Sequence, residues 1–256
     1  MIYYPIATLM TAGIREILII TPPDGDAPFR QLLGDGSQLG VQFTYKEQKV
    51  QRGIADAFLV GEEFIGDDSV CLVLGDNIFD GPGFAIDLSK AVENTDGATV
   101  FGYYVEDPRP FGVVEIDKTG KALSIEEKPA NPKSHYIIPG LYFYDNHVVD
   151  IAKTVQPSAR GELEITAVNN VYLEEGKLSV IKLGPRFCWY DTGTAESMFQ
   201  ASEAVRDIQH KQKRMVGCLE ELAYKKGFIN RNQLLETAEG LKMTEYGRYL
   251  LRLADE

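Results

Sequence analysis

Two aspartates, Asp76 and Asp191, each stand at the end of a short apolar run of the sequence. The run before Asp76, from Val70 to Leu74, has no polar alternation, which is typical of a strand buried on both faces in a parallel sheet. Ligands of open α/β sheets bind at the carboxyl ends of such strands. Two carboxylates there can hold one Mg²⁺, which takes oxygen ligands and shares its shell with substrate phosphates. Asp76 and Asp191 are therefore candidate metal ligands.

Each aspartate also has a purely structural interpretation. The sequence Gly75-Asp76-Asn77 has the composition of a turn. The stretch from Asp191 to Thr194 could simply lead into a helix that Thr194 caps. Capping by Thr194 would leave Asp191 available, so the structural and chemical interpretations of that stretch are compatible.

Three charged residues form a second group of candidates. Glu127 and Lys128 lie at the end of a predicted hairpin strand, and Arg160 lies in a polar loop that enters a helix. Such an Arg can clamp a phosphate. A Glu–Lys pair or an isolated Arg can equally be a solvated surface feature. The three histidines show no metal-binding spacing and receive no function.

The elements that would position these residues alternate between strands and helices up to Val105. This alternation predicts the α/β class with a doubly wound, Rossmann-like sheet that is mixed and mostly parallel. A small β-hairpin around residues 117–120 follows, then one strand over Ile137–Tyr144 and a helix capped by Asp145. A helical tail begins at Ala195.

Composition and charge exclude several classes of partner. The chain has 256 residues, enough for one large domain, and a formal net charge of −12. Such a surface repels polyanions, so we expect no nucleic-acid partner and no membrane partner. The three cysteines form no CxxC pair, which favours free thiols in a reducing compartment. With no signal peptide and no membrane-spanning apolar stretch, we expect a cytoplasmic protein.

Six short motifs follow one another along the chain. They are Leu-Gly-Asp-Asn-Ile-Phe (74–79), Phe-Gly-Val-Val-Glu (111–115), Ile-Glu-Glu-Lys-Pro (125–129), Gly-Leu-Tyr-Phe-Tyr-Asp (140–145), Arg-Gly-Glu-Leu-Glu-Ile-Thr (160–166) and Trp-Tyr-Asp-Thr-Gly-Thr (189–194). Each motif alone is weakly specific, whereas six in this order are specific. Together they resemble the sugar-1-phosphate nucleotidyltransferases, and the tail at 218–229 resembles the short thymidylyltransferase branch of that family. No hexapeptide repeats follow the core, unlike in the longer relatives.

The resemblance implies roles on two sides of one site. The residues that would contact the nucleotide are Gln48, Gly53, Ile54 and Asp76. The Mg²⁺ ligands would be Asp76 and Asp191. The residues that would surround the sugar phosphate are Gly112, Glu127, Lys128, Gly140, Arg160 and Trp189. Catalysis would rest on Asp76, Lys128 and Asp191.

The resemblance also implies a reaction and partners. dTTP and glucose-1-phosphate would give dTDP-glucose and pyrophosphate with Mg²⁺ as the cofactor, by in-line displacement. Because the attacking sugar phosphate is already an anion, no protein nucleophile is needed, which agrees with the lack of a catalytic His or Ser. A homotetramer and feedback by a dTDP-sugar are implied as well. One domain (1–256) would comprise a nucleotide-binding part (1–110), a sugar-phosphate-binding part (111–194) and a helical tail (195–256) for interfaces or regulation.

One feature of the family is not found in this sequence. The family begins with a strand and a Gly-rich triphosphate-binding loop, and the present chain resembles it from just after that segment. We therefore expect an N-terminally truncated chain with two buried strands left unpaired beside a hydrophobic gap, and with impaired turnover. A non-catalytic nucleotide-sugar binding module is the alternative. A different base or sugar is also an open alternative. Uracil and thymine differ by one methyl group, which permits only modest discrimination. Phe111 and Pro139 depart from the family pattern, which leaves the identity of the sugar open.

Overall fold

The computed structural model describes residues 1–255 as eleven strands, ten α-helices and one 3₁₀ turn at Ser37–Leu39. The strands are β1 (Glu16–Thr21), β2 (Gln42–Glu47), β3 (Val70–Val73), β4 (Asn77–Asp80), β5 (Ala98–Tyr104), β6 (Gly112–Ile116), β7 (Ala122–Glu127), β8 (Tyr136–Ile137), β9 (Leu141–Tyr144), β10 (Leu178–Lys182) and β11 (Cys188–Asp191). The helices are α1 (Tyr3–Thr11), α2 (Asp26–Leu33), α3 (Asp56–Ile65), α4 (Phe84–Glu93), α5 (Val148–Thr154), α6 (Ile165–Glu174), α7 (Ala195–Gln212), α8 (Leu219–Lys225), α9 (Arg231–Gly240) and α10 (Glu245–Asp255). Of these helices, none is long and apolar enough to cross a membrane.

The strands form three sheets. The largest has the order β3-β9-β5-β8-β6-β7, with β10 parallel beside β5. β1 and β2 form a parallel pair, and β4 and β11 form an antiparallel pair. The predicted α/β class with a mixed sheet is confirmed. The prediction that the sheet is mostly parallel does not hold. The parallel pairs are β1–β2 and β5–β10, and the other six pairings are antiparallel, because β9 returns between β3 and β5 and the hairpin strands pair antiparallel as well.

β1 and β3 face each other without pairing. Within residues 1–255, β1 pairs with β2 and β3 pairs with β9, and no ladder joins β1 to β3. Two cavities of about 600 and 500 Å³ lie there, lined mostly by apolar side chains such as Leu18 and Leu72. This arrangement agrees with the unpaired strands and hydrophobic gap expected from the sequence. α1 packs on β3 and α3 packs on β1, so helices join the two sides of the gap.

Three predictions from the sequence are wrong in detail. The stretch Ile137–Tyr144 is two strands, β8 and β9, because Pro139 has no N–H to donate and Leu141 N donates instead to Pro139 O at 2.7 Å. Asp145 does not cap α5. Its carboxylate accepts hydrogen bonds from Tyr172 Oη and Gly97 N, and His147 occupies the N-cap position. The short strand β4, immediately after Asp76, is absent from the sequence-based prediction.

The tail helices pack into the N-terminal core. Ile6 and Met10 of α1 lie in one buried cluster with Leu234 of α9 and Leu250 of α10. Each fully buried aliphatic side chain contributes roughly 1.5–3 kcal/mol to folding. The predicted tail therefore shares its core with residues near the start of the chain. The division at residues 110 and 194 stays a prediction.

Thr194 caps α7, as the sequence predicts. Its Oγ1 accepts from Ser197 N at 3.1 Å, and Ser197 Oγ accepts from Thr194 N at 3.1 Å, which completes a capping box. The cap lies three residues after Asp191, which is the last residue of β11.

Candidate active site

A cavity of about 540 Å³, here called the main cavity, opens at the ends of β6, β7 and β11. Residues from all six motifs converge on it, although they are far apart in the sequence. The predicted site residues that line the main cavity are Ile54, Gly112, Glu127, Lys128, Gly140, Arg160, Trp189 and Asp191.

The two candidate metal ligands converge on Gly193. β4 and β11 pair antiparallel with Asp191 opposite Asn77, so Asp76 lies one residue beyond the ladder. A Cβ added to Gly193 would stand 3.0 Å from Asp191 Oδ1 and 3.6 Å from Asp76 Oδ2. Thr192 fixes Asp76 further, since its N and Oγ1 both donate to Asp76 O, at 2.9 and 2.8 Å. The two carboxylates therefore flank one point. Asp191 lines the main cavity, whereas Asp76 lies beside it and is not part of its lining.

The donor set at this point fits Mg²⁺. It consists of carboxylate oxygens, which are the ligands that Mg²⁺ prefers. Among residues 1–255, no group of three or more His, Cys, Asp or Glu side chains forms a complete metal cage. Mg²⁺ is commonly held by one or two carboxylates together with substrate phosphates, so two aspartates are a sufficient protein contribution.

Asn77 links three predicted site residues through its buried amide. Its Nδ2 donates to Asp76 Oδ1 at 2.8 Å. Its Oδ1 accepts from Gly140 N at 3.1 Å and from Trp189 Nε1 at 2.6 Å. A side chain at Gly140 would collide with this arrangement, because an added Cβ would lie 2.5 Å from Leu74 Cγ and 2.9 Å from Asn77 Oδ1.

Glu127 ends β7 directly opposite Gly112 of β6. Its Oε2 accepts a hydrogen bond from Thr166 Oγ1 at 2.6 Å. A Cβ added to Gly112 would stand 3.3 Å from both Glu127 Oε2 and Thr166 Oγ1. Glycine at position 112 therefore keeps the carboxylate accessible from the main cavity.

Lys128 follows with a left-handed backbone. Its φ is 44°, and its N donates to Phe111 O at 3.0 Å. A non-glycine residue with positive φ is uncommon and costs free energy, so the surrounding hairpin must hold it in place. Lys128 is exposed and lines the main cavity.

Arg160 lies among three carboxylates at the rim of the main cavity. Its Nη2 is 2.9 Å from Glu164, 3.3 Å from Glu162 and 3.6 Å from Glu127. The hydrogen bond to Glu164 raises the pKa of the Arg160 guanidinium. The sequence left two interpretations of Arg160, a phosphate clamp or a solvated surface residue. The structure shows Arg160 half-exposed and ion-paired at the cavity rim. A phosphate contact stays a prediction.

Aromatic rings form one wall of the main cavity. Trp189 packs edge-on against Phe111 at 5.4 Å and against Tyr103 at 5.7 Å between ring centroids. Burial raises the pKa of Tyr142, which lines the same cavity, so its hydroxyl stays protonated at neutral pH. The wall presents apolar ring faces with a few hydrogen-bonding groups, which is a common way to orient a small polar ligand.

Gln48 and Gly53 lie outside the main cavity. Together with Ile54 they line an adjoining cavity of about 500 Å³, here called the side cavity, at the gap between β1 and β3. Ile54, Leu74 and Glu162 line both cavities, so the two are neighbours with a shared wall. The structure therefore brings the predicted base contacts next to the predicted sugar-phosphate contacts.

The sequence reasoning missed several residues that the geometry brings into the site. Those that contact its members are Asp56, Asn77, Tyr142, Glu162 and Thr166. Four of them, Asn77, Tyr142, Glu162 and Thr166, lie inside the six motifs, and this closeness in sequence to predicted site residues was the signal that could have identified them. Asp56 carried no such signal.

Comparisons with known proteins identify the family to which the chain is similar. A sequence profile of the nucleotidyl transferase family matches residues 1–208. A glucose-1-phosphate thymidylyltransferase of Neisseria meningitidis is 53% identical over 253 residues, which are 99% of this chain and 88% of the relative. Another, of Mycolicibacterium smegmatis, is 52% identical over 256 residues, 100% of this chain and 88% of the relative.

A solved structure is also similar. The Bacillus anthracis protein assigned as a glucose-1-phosphate thymidylyltransferase, in complex with sucrose, has a TM-score of 0.74 and 40% identity, and the match covers 81% of this chain and 82% of that one. The fold and the site thus define a nucleotide-transferring enzyme. The chain belongs to the nucleotidyl transferase family, and within that family its similarity is to glucose-1-phosphate thymidylyltransferases.

Proposed function

We propose that this chain catalyses the formation of dTDP-glucose and pyrophosphate from dTTP and glucose-1-phosphate. One observation carries the proposal: Asp76 and Asp191 flank a single point, and Asp191 lines the main cavity together with Lys128 and Glu127. The side cavity, which Gln48 and Gly53 line, adjoins it through Ile54 and Leu74. This is the arrangement that the transfer of a nucleotide to a sugar phosphate requires.

The chain's own residues would bind, orient and neutralise the substrates. A phosphate oxygen of glucose-1-phosphate attacks the α-phosphorus of dTTP, and the bond from that phosphorus to the bridging oxygen breaks to release pyrophosphate. Lys128 would neutralise charge on the sugar phosphate. Glu127, held by Thr166, would accept hydrogen bonds from sugar hydroxyls. The Trp189 wall would orient the sugar ring and exclude water.

Mg²⁺ would be held by Asp76 and Asp191. When bound, it would supply positive charge to the phosphates of the transferred nucleotide. Asn77 supports this role from the protein side, since its Nδ2 orients the carboxylate of Asp76. One oxygen of each carboxylate, Asp191 Oδ1 and Asp76 Oδ2, lies near Gly193.

The experiment is a coupled assay for pyrophosphate, with dTDP-glucose identified by mass spectrometry. We expect both products only when dTTP, glucose-1-phosphate and Mg²⁺ are all present. Asp76→Asn is the negative control, because it keeps the side-chain shape and removes the charge. Release of pyrophosphate without dTDP-glucose, or equal turnover of other sugar phosphates, would contradict the proposed substrate.

Further features of the family resemblance are proposed with it. We propose a homotetramer, supported by exposed apolar side chains such as Ile86 and Phe199, with light scattering as the test.

We propose feedback by a dTDP-sugar at the helical tail, supported by a cavity of about 650 Å³ that Arg186 and Arg214 line. Loss of inhibition in Arg186→Ala would test it. A cytoplasmic location agrees with three free thiols.

A further inference from the structure

Asp56 is a buried carboxylate beside the loop of residues 48–54. It begins α3, and only 1% of its surface is exposed. A buried carboxylate is costly unless its oxygens receive hydrogen bonds. Gln48 Nε2 donates to Oδ2 at 2.8 Å, and Arg52 Nη2 donates to Oδ1 at 2.6 Å. Both partners belong to the 48–54 loop, so this charge organises the loop.

The contact with Asp56 fixes the orientation of the Gln48 amide. A primary amide has a donor end and an acceptor end, and a rotation by half a turn exchanges them. An ionised carboxylate only accepts, so Nε2 must face Asp56, since the rotated amide would place Oε1 against a carboxylate oxygen. Within residues 1–255, Gln48 Oε1 has no hydrogen-bond partner, and Gln48 lines the side cavity. Oε1 and the second hydrogen of Nε2 are therefore available to a ligand.

The backbone of the same loop is fixed by the loop of residues 160–164. Leu163 N donates to Arg52 O at 2.5 Å, and Ala55 N donates to Leu163 O at 3.1 Å. Gly53 has a φ of 106°, and a Cβ there would lie 2.6 Å from Leu163 O. These contacts hold the backbone at this end of the loop. The motion that Asp56 then restricts is the rotation of the Gln48 side-chain amide.

We infer that Asp56 is the positioning residue that makes the site select an imide base, thymine or uracil, over cytosine. The inference rests on the proposed function, in which Gln48 contacts the base. Thymine and uracil present an N3–H donor beside a carbonyl acceptor, which complements an amide with Oε1 and Nε2–H side by side. Cytosine presents an acceptor N3 beside an amino donor, so it would complement only the rotated amide. Asp56 forbids that rotation.

The test is equilibrium binding of dTDP, dUDP and dCDP to the full chain, measured by calorimetry. We expect wild-type protein to bind dTDP and dUDP at similar strength and dCDP about 100-fold more weakly. Asp56→Asn keeps the shape but can donate or accept, so either amide orientation becomes possible. The preference for dTDP over dCDP should then fall about tenfold.

Arg52→Met is the matched control. It removes the other partner of Asp56 and leaves the Gln48 contact, so the base preference should stay unchanged. A preserved preference in folded Asp56→Asn, or an equal loss in Arg52→Met, would overturn the inference. Thermal unfolding verifies the fold of each variant. Asp56→Ser, whose hydroxyl also donates and accepts, carries the same expectation if Asp56→Asn does not fold.

Pyrophosphate release by the same preparations separates this inference from the proposed function. Release from dTTP together with a base preference that does not depend on Asp56 overturns the role of Asp56 alone. Absence of both release and nucleotide binding in wild-type protein overturns the proposed function, and the role of Asp56 with it.

Discussion

The main cavity and the side cavity are held together by different kinds of structure. Around the main cavity, strand ladders set the positions of side chains: Gly112 pairs with Glu127, and Asn77 pairs with Asp191. The side cavity lies beside the unpaired edge of β1, and the 48–54 loop that lines it belongs to no ladder. That loop is held by hydrogen bonds to Leu163 and by the buried charge of Asp56.

This difference shows two ways to obtain a preorganised site. In a ladder, the register alone brings side chains together, because backbone hydrogen bonds fix the partners of each residue. A loop has no register, so dedicated contacts must replace it. We therefore expect substitutions near the main cavity to affect chemistry directly, and substitutions near the side cavity to act through position and selectivity.

The largest expected effect comes from the paired aspartates. Asp76→Asn or Asp191→Asn should each lower Mg²⁺-dependent product formation by about 10²–10³-fold, because a preorganised charge is removed where the phosphates bind. Initial rates of pyrophosphate release over a Mg²⁺ titration measure this. Asp207→Asn, at an exposed position on α7, is the matched control and should behave as wild type. Wild-type rates in either site variant would contradict the metal assignment.

A smaller effect is expected at Lys128. Lys128→Ala should raise the KM for glucose-1-phosphate about 10- to 100-fold, the value of a lost charge-assisted hydrogen bond, with little change in the KM for dTTP. Both substrates are titrated in turn in the pyrophosphate assay. Lys118→Ala, exposed in the turn between β6 and β7, is the control. If the KM for dTTP rises instead, Lys128 serves the nucleotide and the two sides of the site are reversed.

Gly140 tests the tight packing around the main cavity. Gly140→Ala should lower the free energy of unfolding by about 1–3 kcal/mol, because the new methyl group would overlap Leu74 and Asn77. Urea denaturation measures the change. At Gly184 nothing lies within 4 Å of an added Cβ, so Gly184→Ala should be close to neutral. Equal stability of the two variants would show that Leu74 and Asn77 move aside for the added methyl group at little cost.

Local sequence patterns predict the elements that carry this site. Apolar runs predict a strand before Asp76 and a strand that ends at Asp191, and the turn at 117–120 predicts the hairpin that ends in Glu127. These inferences succeed because each depends on a few consecutive residues. The interruption between β8 and β9 at Pro139 is also a local effect, since proline cannot donate to a ladder. It was missed because the residues around Pro139 form an apolar run that is typical of one continuous strand.

Long-range contacts explain what the sequence could not reveal. Asn77 contacts Gly140 and Trp189, which are 63 and 112 residues away in the chain. No local pattern encodes such a meeting. Asp56 lies among Ile54, Ala57 and Phe58 and has the spacing of an ordinary polar position on a helix, yet the fold buries it against the 48–54 loop. The role proposed for it depends on its hydrogen bonds to Gln48 and Arg52, which only the folded structure reveals.

The smallest expected effect concerns how β1 and β2 stay in place without a ladder to β3. Lys46 of β2 pairs with Glu63 of α3 at 3.0 Å, with side-chain exposures of 31% and 89%. An ion pair so exposed contributes only about 0–1 kcal/mol, so Glu63→Gln should barely change the urea midpoint or the hydrogen exchange of β2. Ile17, Ile19 and Phe43, all buried in the core shared with α1 and the tail, hold these strands instead. A loss above about 1 kcal/mol would mean that charge, rather than apolar packing, fixes this side of the gap.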